Sequence, residues 1–247
     1  PKPVVPVFDE PVAGYALRSL AAVGFSSAVL NLHHLPHRVK EALGDRRHGL
    51  DIEYSSEEDE ILGPVGGVRK ALDRFGGGPV LVWNGDVLMD LDPAALLDTH
   101  ERTGAALTLA LGTRRGGPEL RVVHVESGSG RVVGVRETKA PGGRPDVSAV
   151  NLGAFVYDSA MLEKYVPAGR FFGFADELIP LLFANNELIA AHLQDCYWSD
   201  IGAEQSYLDA HFDALDGRGH PGCEIAIKQS APAPAARASG PNYISPG

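Results

Sequence analysis

Cysteine is almost missing from this chain: Cys196 and Cys223 are the only two among 247 residues. Two thiols are too few for a disulfide framework, and they have no metal-ligand spacing, so both read as free thiols. Long apolar runs are missing as well. Nothing approaches the roughly 20 apolar residues of a membrane-spanning helix, and no basic start leads into an apolar h-region. The expectation is a cytoplasmic protein without a membrane partner. Positive charge is short, with 22 Lys and Arg against 32 Asp and Glu, a net charge of −10. That balance argues against a nonspecific nucleic-acid binder, which lives on phosphate neutralisation. An anionic substrate has to meet a local positive site instead.

What is present is ordinary for a soluble globular chain: 44% hydrophobic and 22% charged residues. The length suits one large domain, or one domain with an appendage. Strand and helix signals alternate, which predicts an α/β fold with a doubly wound sheet. Helical spacing runs from Val12 to Val23 with Gly24 as its stop, and a strand follows at Ser27 to Leu32. Further helices are expected at 37–43, 68–72, 93–101, 176–184 and 203–215, and further strands at 51–55, 79–83, 105–112, 148–157 and 188–193. The segments 120–126 and 131–136 flank Gly128-Ser129-Gly130 and read as an antiparallel hairpin. From Asp216 onward Pro, Ala, Ser and Gly dominate, a linker-like tail over 216–247 behind a domain at 1–215.

Two acidic residues stand where buried strands run out. Pro79-Val80-Leu81-Val82-Trp83 ends in Asn84-Gly85-Asp86, and Cys196-Tyr197-Trp198-Ser199-Asp200 is followed by Ile201-Gly202. Ligands of open α/β sheets collect outside the carboxyl ends of the strands, where Asp86 and Asp200 would converge as a divalent metal site. Asn-Gly-Asp alone is a turn sequence as readily as a metal site. His33 and His34 are neighbours on a strand and point to opposite faces, so they do not share an ion. The acidic run from Glu57 to Glu60 reads as a solvated loop, and Trp83 and Trp198 as core residues.

Together, in order along the chain, these motifs resemble the sugar-1-phosphate nucleotidylyltransferases, in the branch similar to mannose-1-phosphate guanylyltransferases and N-acetylmuramate-phosphate uridylyltransferases. Pro1-Lys2-Pro3 looks like the second half of that family's opening signature. The likeness continues through Asn31-Leu32-His33-His34-Leu35-Pro36, Glu60-Ile61-Leu62-Gly63 with Gly66-Gly67, Asn84-Gly85-Asp86 and Trp198-Ser199-Asp200-Ile201-Gly202, over about residues 1 to 215.

The resemblance implies a Rossmann-like nucleotidyltransferase fold: a mixed, mostly parallel central sheet with helices on both faces and a small antiparallel hairpin. It implies Mg²⁺-dependent transfer of a nucleotidyl group from a nucleoside triphosphate to a sugar 1-phosphate, with Lys2, Asp86 and Asp200 catalytic and the two aspartates holding the metal. Glu60, Gly63, Gly66, Gly67, Asn84 and Gly85 would take the nucleotide. Glu137, Lys139, Asn151, Gly153 and Glu177 would take the sugar, although Thr138 separates an acid and a lysine that many members carry side by side. The family's glycine-rich phosphate loop is expected ahead of Pro1, and Tyr243-Ile244-Ser245-Pro246-Gly247 resembles the entry to a left-handed β-helix. A homo-oligomer is compatible with the resemblance. The competing reading is a catalytically inactive module that senses nucleotide sugars.

Overall fold

The structure, a computed structural model, describes residues 1–57, 60–113 and 122–223. The expected strand start at 120–121, residues 58–59 of the acidic run and the tail from 224 lie outside these residues. A 3-10 turn at Lys2–Val4 leads into a hairpin of β1 (Pro6–Val7) and β2 (Glu10–Pro11), then α1 (Val12–Ala22), β3 (Ser27–Leu32), α2 (Pro36–Leu43), β4 (Arg46–Arg47), β5 (Leu50–Ser56) and α3 (Gly63–Ala71). Next come β6 (Val80–Trp83), β7 (Val87–Met89), α4 (Pro93–Thr103), β8 (Leu107–Gly112), β9 (Val122–Glu126), β10 (Arg131–Val135), β11 (Thr138–Lys139) and β12 (Val147–Tyr157). The last elements are α5 (Ser159–Tyr165), a π-helical turn at Phe174–Leu178 running into α6 (Ile179–Ala184), β13 (Ile189–Leu193), β14 (Trp198–Asp200) and α7 (Glu204–Leu215).

Local chemistry sets the boundaries. Asp92 caps α4 by accepting from the amides of Ala94 and Ala95 at 2.9 and 3.2 Å, Pro93 fills the first helical position, and Gly104 ends the helix at φ 61°. Asp158 caps α5 in the same way through the Met161 amide at 2.7 Å. The helix expected from Asp176 opens as a π-helical turn because Pro180 has no N–H to return to the preceding turn.

The core matches the near-continuous apolar strand expected at 105–112. Leu107, Leu109 and Leu111 of β8 face a cluster that includes Val65 of α3, Leu162 of α5 and Leu182 of α6. Ala110 faces the other way, toward a cluster with Leu96 of α4, so helices cover both sides of the sheet.

Two details of the expected sheet are corrected. It is not mostly parallel: among its seven strands only β13 and β8 pair in parallel. Strands β6, β8 and β13 run one way, and β12 runs against them between β6 and β8. A buried apolar strand gives no sign of its direction, because both faces of a central antiparallel strand are covered too. Nor is the sheet single. Strands β3, β5 and β4 form their own three-stranded sheet, β7 and β14 pair separately, and β9 joins β10 to the first half of β12. Strands β8, β12, β9, β10 and β13 thereby make a closed circuit of pairings instead of an open ladder. The hairpin expected around Gly128 to Gly130 is present as β9 and β10.

Candidate active site

Strand β6 delivers Asn84, Gly85 and Asp86 at its end, and the chain continues straight into β7. Strand β14 lies antiparallel to β7 with Asp200 opposite Val87, and the Ile201 amide donates to the Asp86 carbonyl at 3.0 Å. The two expected metal ligands therefore stand at neighbouring positions of one short ladder. Lys2 comes to the same place from the start of the chain. A Cβ on Gly202 would sit 3.1 Å from Asp200 Oδ1 and 3.7 Å from Lys2 Nζ, so ammonium and carboxylate flank one glycine. Pro3 packs beside Gly85, its Cβ 3.4 Å from where a Gly85 Cβ would be.

The bulge in β12 joins this group. Gly153 adopts φ +90°, its carbonyl accepts the Asn84 amide at 2.8 Å, and its own amide donates to Asn151 Oδ1 at 2.9 Å. A side chain at Gly153 would stand 2.9 Å from Asn84 Nδ2. Trp198 closes the floor, its indole N–H donating to the Leu152 carbonyl at 2.8 Å. Lys2, Asn84, Gly85, Asp86, Asn151, Gly153 and Asp200, placed in four separate stretches of sequence, thus form one connected group.

The glycine stretch at the start of α3 forms a second group. Glu57, assigned to a solvated run by sequence, is buried: its Oε1 accepts Asn31 Nδ2 at 2.6 Å and its Oε2 accepts the Leu62 amide at 2.9 Å. Gly67 leaves room for this pair, since a Cβ there would lie 2.5 Å from Glu57 Oε1 and 2.6 Å from Asn31 Nδ2. A carboxylate where the chain turns from β5 toward α3 takes up an amide that the helix entry leaves open. No local sign of this role marks Glu57 in the sequence, since β5 before it (Leu50-Asp51-Ile52-Glu53-Tyr54-Ser55-Ser56) is itself more polar than apolar and leads into the acidic run, and Asn31 enters only inside a family motif. Glu60 lines an open cavity of about 390 Å³ with Glu57, Leu62, Arg69, Lys70 and Gly169. Gly66 gives room to the chain at Arg170, whose carbonyl would be 2.7 Å from a Cβ.

Glu137 and Lys139 stand at β11 and Glu177 in the π-helical turn, and among the described residues the contacts that join the first group do not extend to them. Strand β11 lies at the opposite end of the strand order from β6. Arg136, at φ +53°, reaches Asp176 at 3.9 Å, which sets this hairpin over the π-helical turn. Glu177 turns back on its own loop, Oε2 accepting the Gly173 amide at 2.5 Å and Oε1 pairing with Arg170 at 3.3 Å.

The family model described as nucleotidyl transferase matches residues 1–217. The chain belongs to this family. It is 29% identical over 256 aligned residues to the mannose-1-phosphate guanylyltransferase of Mycobacterium tuberculosis, covering all of this chain and 70% of that protein. It is 27% identical over 225 residues to the UTP–glucose-1-phosphate uridylyltransferase of Synechocystis, covering 85% of this chain and 57% of the relative's length. The fold matches the crystal structure of HddC from Yersinia pseudotuberculosis with a TM-score of 0.73 at 19% identity, over 87% of this chain and 90% of that one; a second HddC structure is a complex with GMP-PN.

Within this nucleotidyl transferase domain the donor set at the first group decides which metal the residues suit. Asp86 and Asp200 offer carboxylate oxygens alone, and among the described residues no three or more of His, Cys, Asp and Glu gather as a cage. Such a pair fits Mg²⁺, which takes one or two carboxylates and fills its remaining positions with water and substrate oxygens, and it does not fit a four-ligand structural zinc site.

Proposed function

We propose that this chain is the catalytic domain of an enzyme that transfers a nucleotidyl group from a nucleoside triphosphate to a sugar 1-phosphate, with Mg²⁺ held by Asp86 and Asp200. The observation that carries the reading is the meeting of Lys2, Asp86 and Asp200 around Gly202 and the β7–β14 ladder. A phosphate oxygen of the sugar 1-phosphate attacks the α-phosphorus, the bond from that phosphorus to the bridging oxygen of the β-phosphate breaks, and pyrophosphate leaves. Such a reaction needs in-line positioning and cancellation of phosphate charge more than covalent help. Mg²⁺, when bound, supplies that cancellation between the phosphates of both reactants.

Lys2 brings a compact cation on a flexible stem to the phosphates. Its approach is fixed by the Pro3 contact with Gly85. Asn84 and Gly85 sit on the nucleotide side, with the stretch from Glu60 through Gly63, Gly66 and Gly67. Asn151 and Gly153 at the β12 bulge, with Glu137 and Lys139 beyond it, are assigned to the sugar 1-phosphate, whereas Glu177, held by the Gly173 amide and Arg170, is left to position its loop. The relatives named for guanylyl and uridylyl transfer to sugar 1-phosphates support the substrate class.

The test is pyrophosphate release by the full-length protein with Mg²⁺, over GTP, UTP, dTTP and ATP crossed with several sugar 1-phosphates. Turnover with one pair is expected, and Asp86→Ala and Asp200→Ala lower kcat/KM by about a hundredfold or more, the size of a lost electrostatic contact in a transition state. Binding of nucleotide sugars without turnover of any pair would sink the enzyme reading in favour of a sensor.

A further inference from the structure

Resting on that reading, we infer that Phe171 is the stacking platform for the nucleobase of the triphosphate. Phe171 is one of the few large apolar side chains left in the open, at 53% exposure, while Phe172 beside it is buried at 3%. An aromatic ring held at the surface by a fixed backbone is a feature to explain, since burying it would stabilise the fold.

Its backbone is held on both sides. The Phe172 amide donates to the Leu62 carbonyl at 2.8 Å, and the Val65 amide donates back to the Phe172 carbonyl at 3.2 Å, so the loop is laced to the entry of α3. Glu177 fastens the other end through the Gly173 amide and Arg170. The ring rests on Gly63: a Cβ there would lie 2.8 Å from Phe171 Cε2, and Gly63 adopts φ +72°. Gly173 beyond it does not crowd the ring, since a Cβ there would make only ordinary contact, 3.7 Å from Phe171 Cε1. One glycine thus seats an exposed ring at the head of the stretch assigned to the nucleotide.

The chemistry of this arrangement fits a flat apolar ligand better than a sugar. Glu177, which follows in the same stretch, already spends its oxygens on Gly173 and Arg170 and positions the loop rather than reaching outward. A planar base has a π-face for the ring, and stacking of this kind accepts every base. On this reading Phe171 supplies affinity common to all nucleotides, and the choice between them is left to polar groups of the glycine stretch.

The experiment is equilibrium titration of the full-length wild type, Phe171→Leu and Phe171→Trp with GTP, with UTP, and with inorganic tripolyphosphate, which has no base. Phe171→Leu should weaken both nucleotides about tenfold while tripolyphosphate affinity stays within twofold, and Phe171→Trp should restore nucleotide affinity. The half-exposed position predicts an unchanged melting temperature. Equal weakening toward tripolyphosphate, no change toward the nucleotides, a loss confined to the KM for sugar 1-phosphate, or no nucleotide binding by the wild type would each overturn the assignment. If nucleotide binding depends on Phe171 while no pyrophosphate is released, the catalytic reading fails and the stacking assignment stands.

Discussion

At the scale of single residues, Gly153 shows how a backbone position becomes part of a site. Its φ of +90° is open to glycine at little cost, and the bulge it makes in β12 turns its carbonyl to the Asn84 amide. Gly153→Ala combines a disfavoured conformation with a Cβ 2.9 Å from Asn84 Nδ2. The expected cost is about 1–3 kcal/mol of stability, read as a lower midpoint in urea, with a fall in kcat/KM because Asn84 moves away from Asp86. A variant as stable and active as wild type would show that the bulge has no part in the site. The meeting of the Asp86 and Asp200 segments was legible in the sequence because each motif stands at a strand end, whereas Asn151 and Gly153, in the middle of β12, enter only through the family resemblance. Glu57 was not legible. Four acids in a row read as a solvated run, and nothing local says that the first of them is folded under α3 to meet Asn31.

At the scale of elements, the segment that carries Lys2 depends on a buried carboxylate. Glu10 in β2 receives Arg47 Nε and Nη2 at 2.9 and 3.0 Å and lies 2.9 Å from His48 Nε2, which ties the β1–β2 hairpin to the β4–β5 hairpin. Burial by itself would raise its pKa, but the hydrogen bonds from His48 and Arg47 and their positive charge outweigh that and pull it down to about 2 from 4.5. With the folded value depressed, its stabilisation is complete above the unfolded value and is lost as pH falls from about 4.5 toward 2. A shift of this size corresponds to about 3 kcal/mol. Chemical denaturation at pH 6 and pH 3 should show Glu10→Gln less stable than wild type at pH 6 and the gap narrowing at pH 3. A gap that stays constant would mean that the ion pair does not hold the hairpin. Elements themselves were mostly legible: apolar runs and caps located β8, α4 and the β9–β10 hairpin. Strand direction was not, because β12 is as apolar as a parallel core strand, and only its pairing between β6 and β8 reveals that it runs against them.

At the scale of the whole molecule, the end of the described chain is stitched to its beginning. His220 is buried against Tyr15 of α1, ring centroids 5.3 Å apart, and its Nδ1 accepts the Gly222 amide at 2.9 Å. The neighbouring Cys223 is buried too, in a cluster with Val7, Tyr15 and Leu88. Tyr15 in turn donates to the Val7 carbonyl at 2.8 Å, so the residues after α7 bear on the hairpin that follows Lys2. Burial pushes the His220 imidazole down to about 4 from 6.5, against the pull of Asp90 and with the help of Arg18. The neutral ring is the form that fits, because a proton on Nδ1 would remove the acceptor for Gly222. This histidine's contribution is complete above about 6.5 and is lost as pH falls toward 4, a window higher than that of Glu10. Melting temperature followed from pH 7 to pH 4 should therefore fall in the wild type before Glu10 begins to titrate. In His220→Phe, which keeps a ring against Tyr15 but cannot take a proton, the fall over that interval should be shallower. Equal slopes would place the acid sensitivity elsewhere and leave the contact between α1 and the residues after α7 independent of this proton.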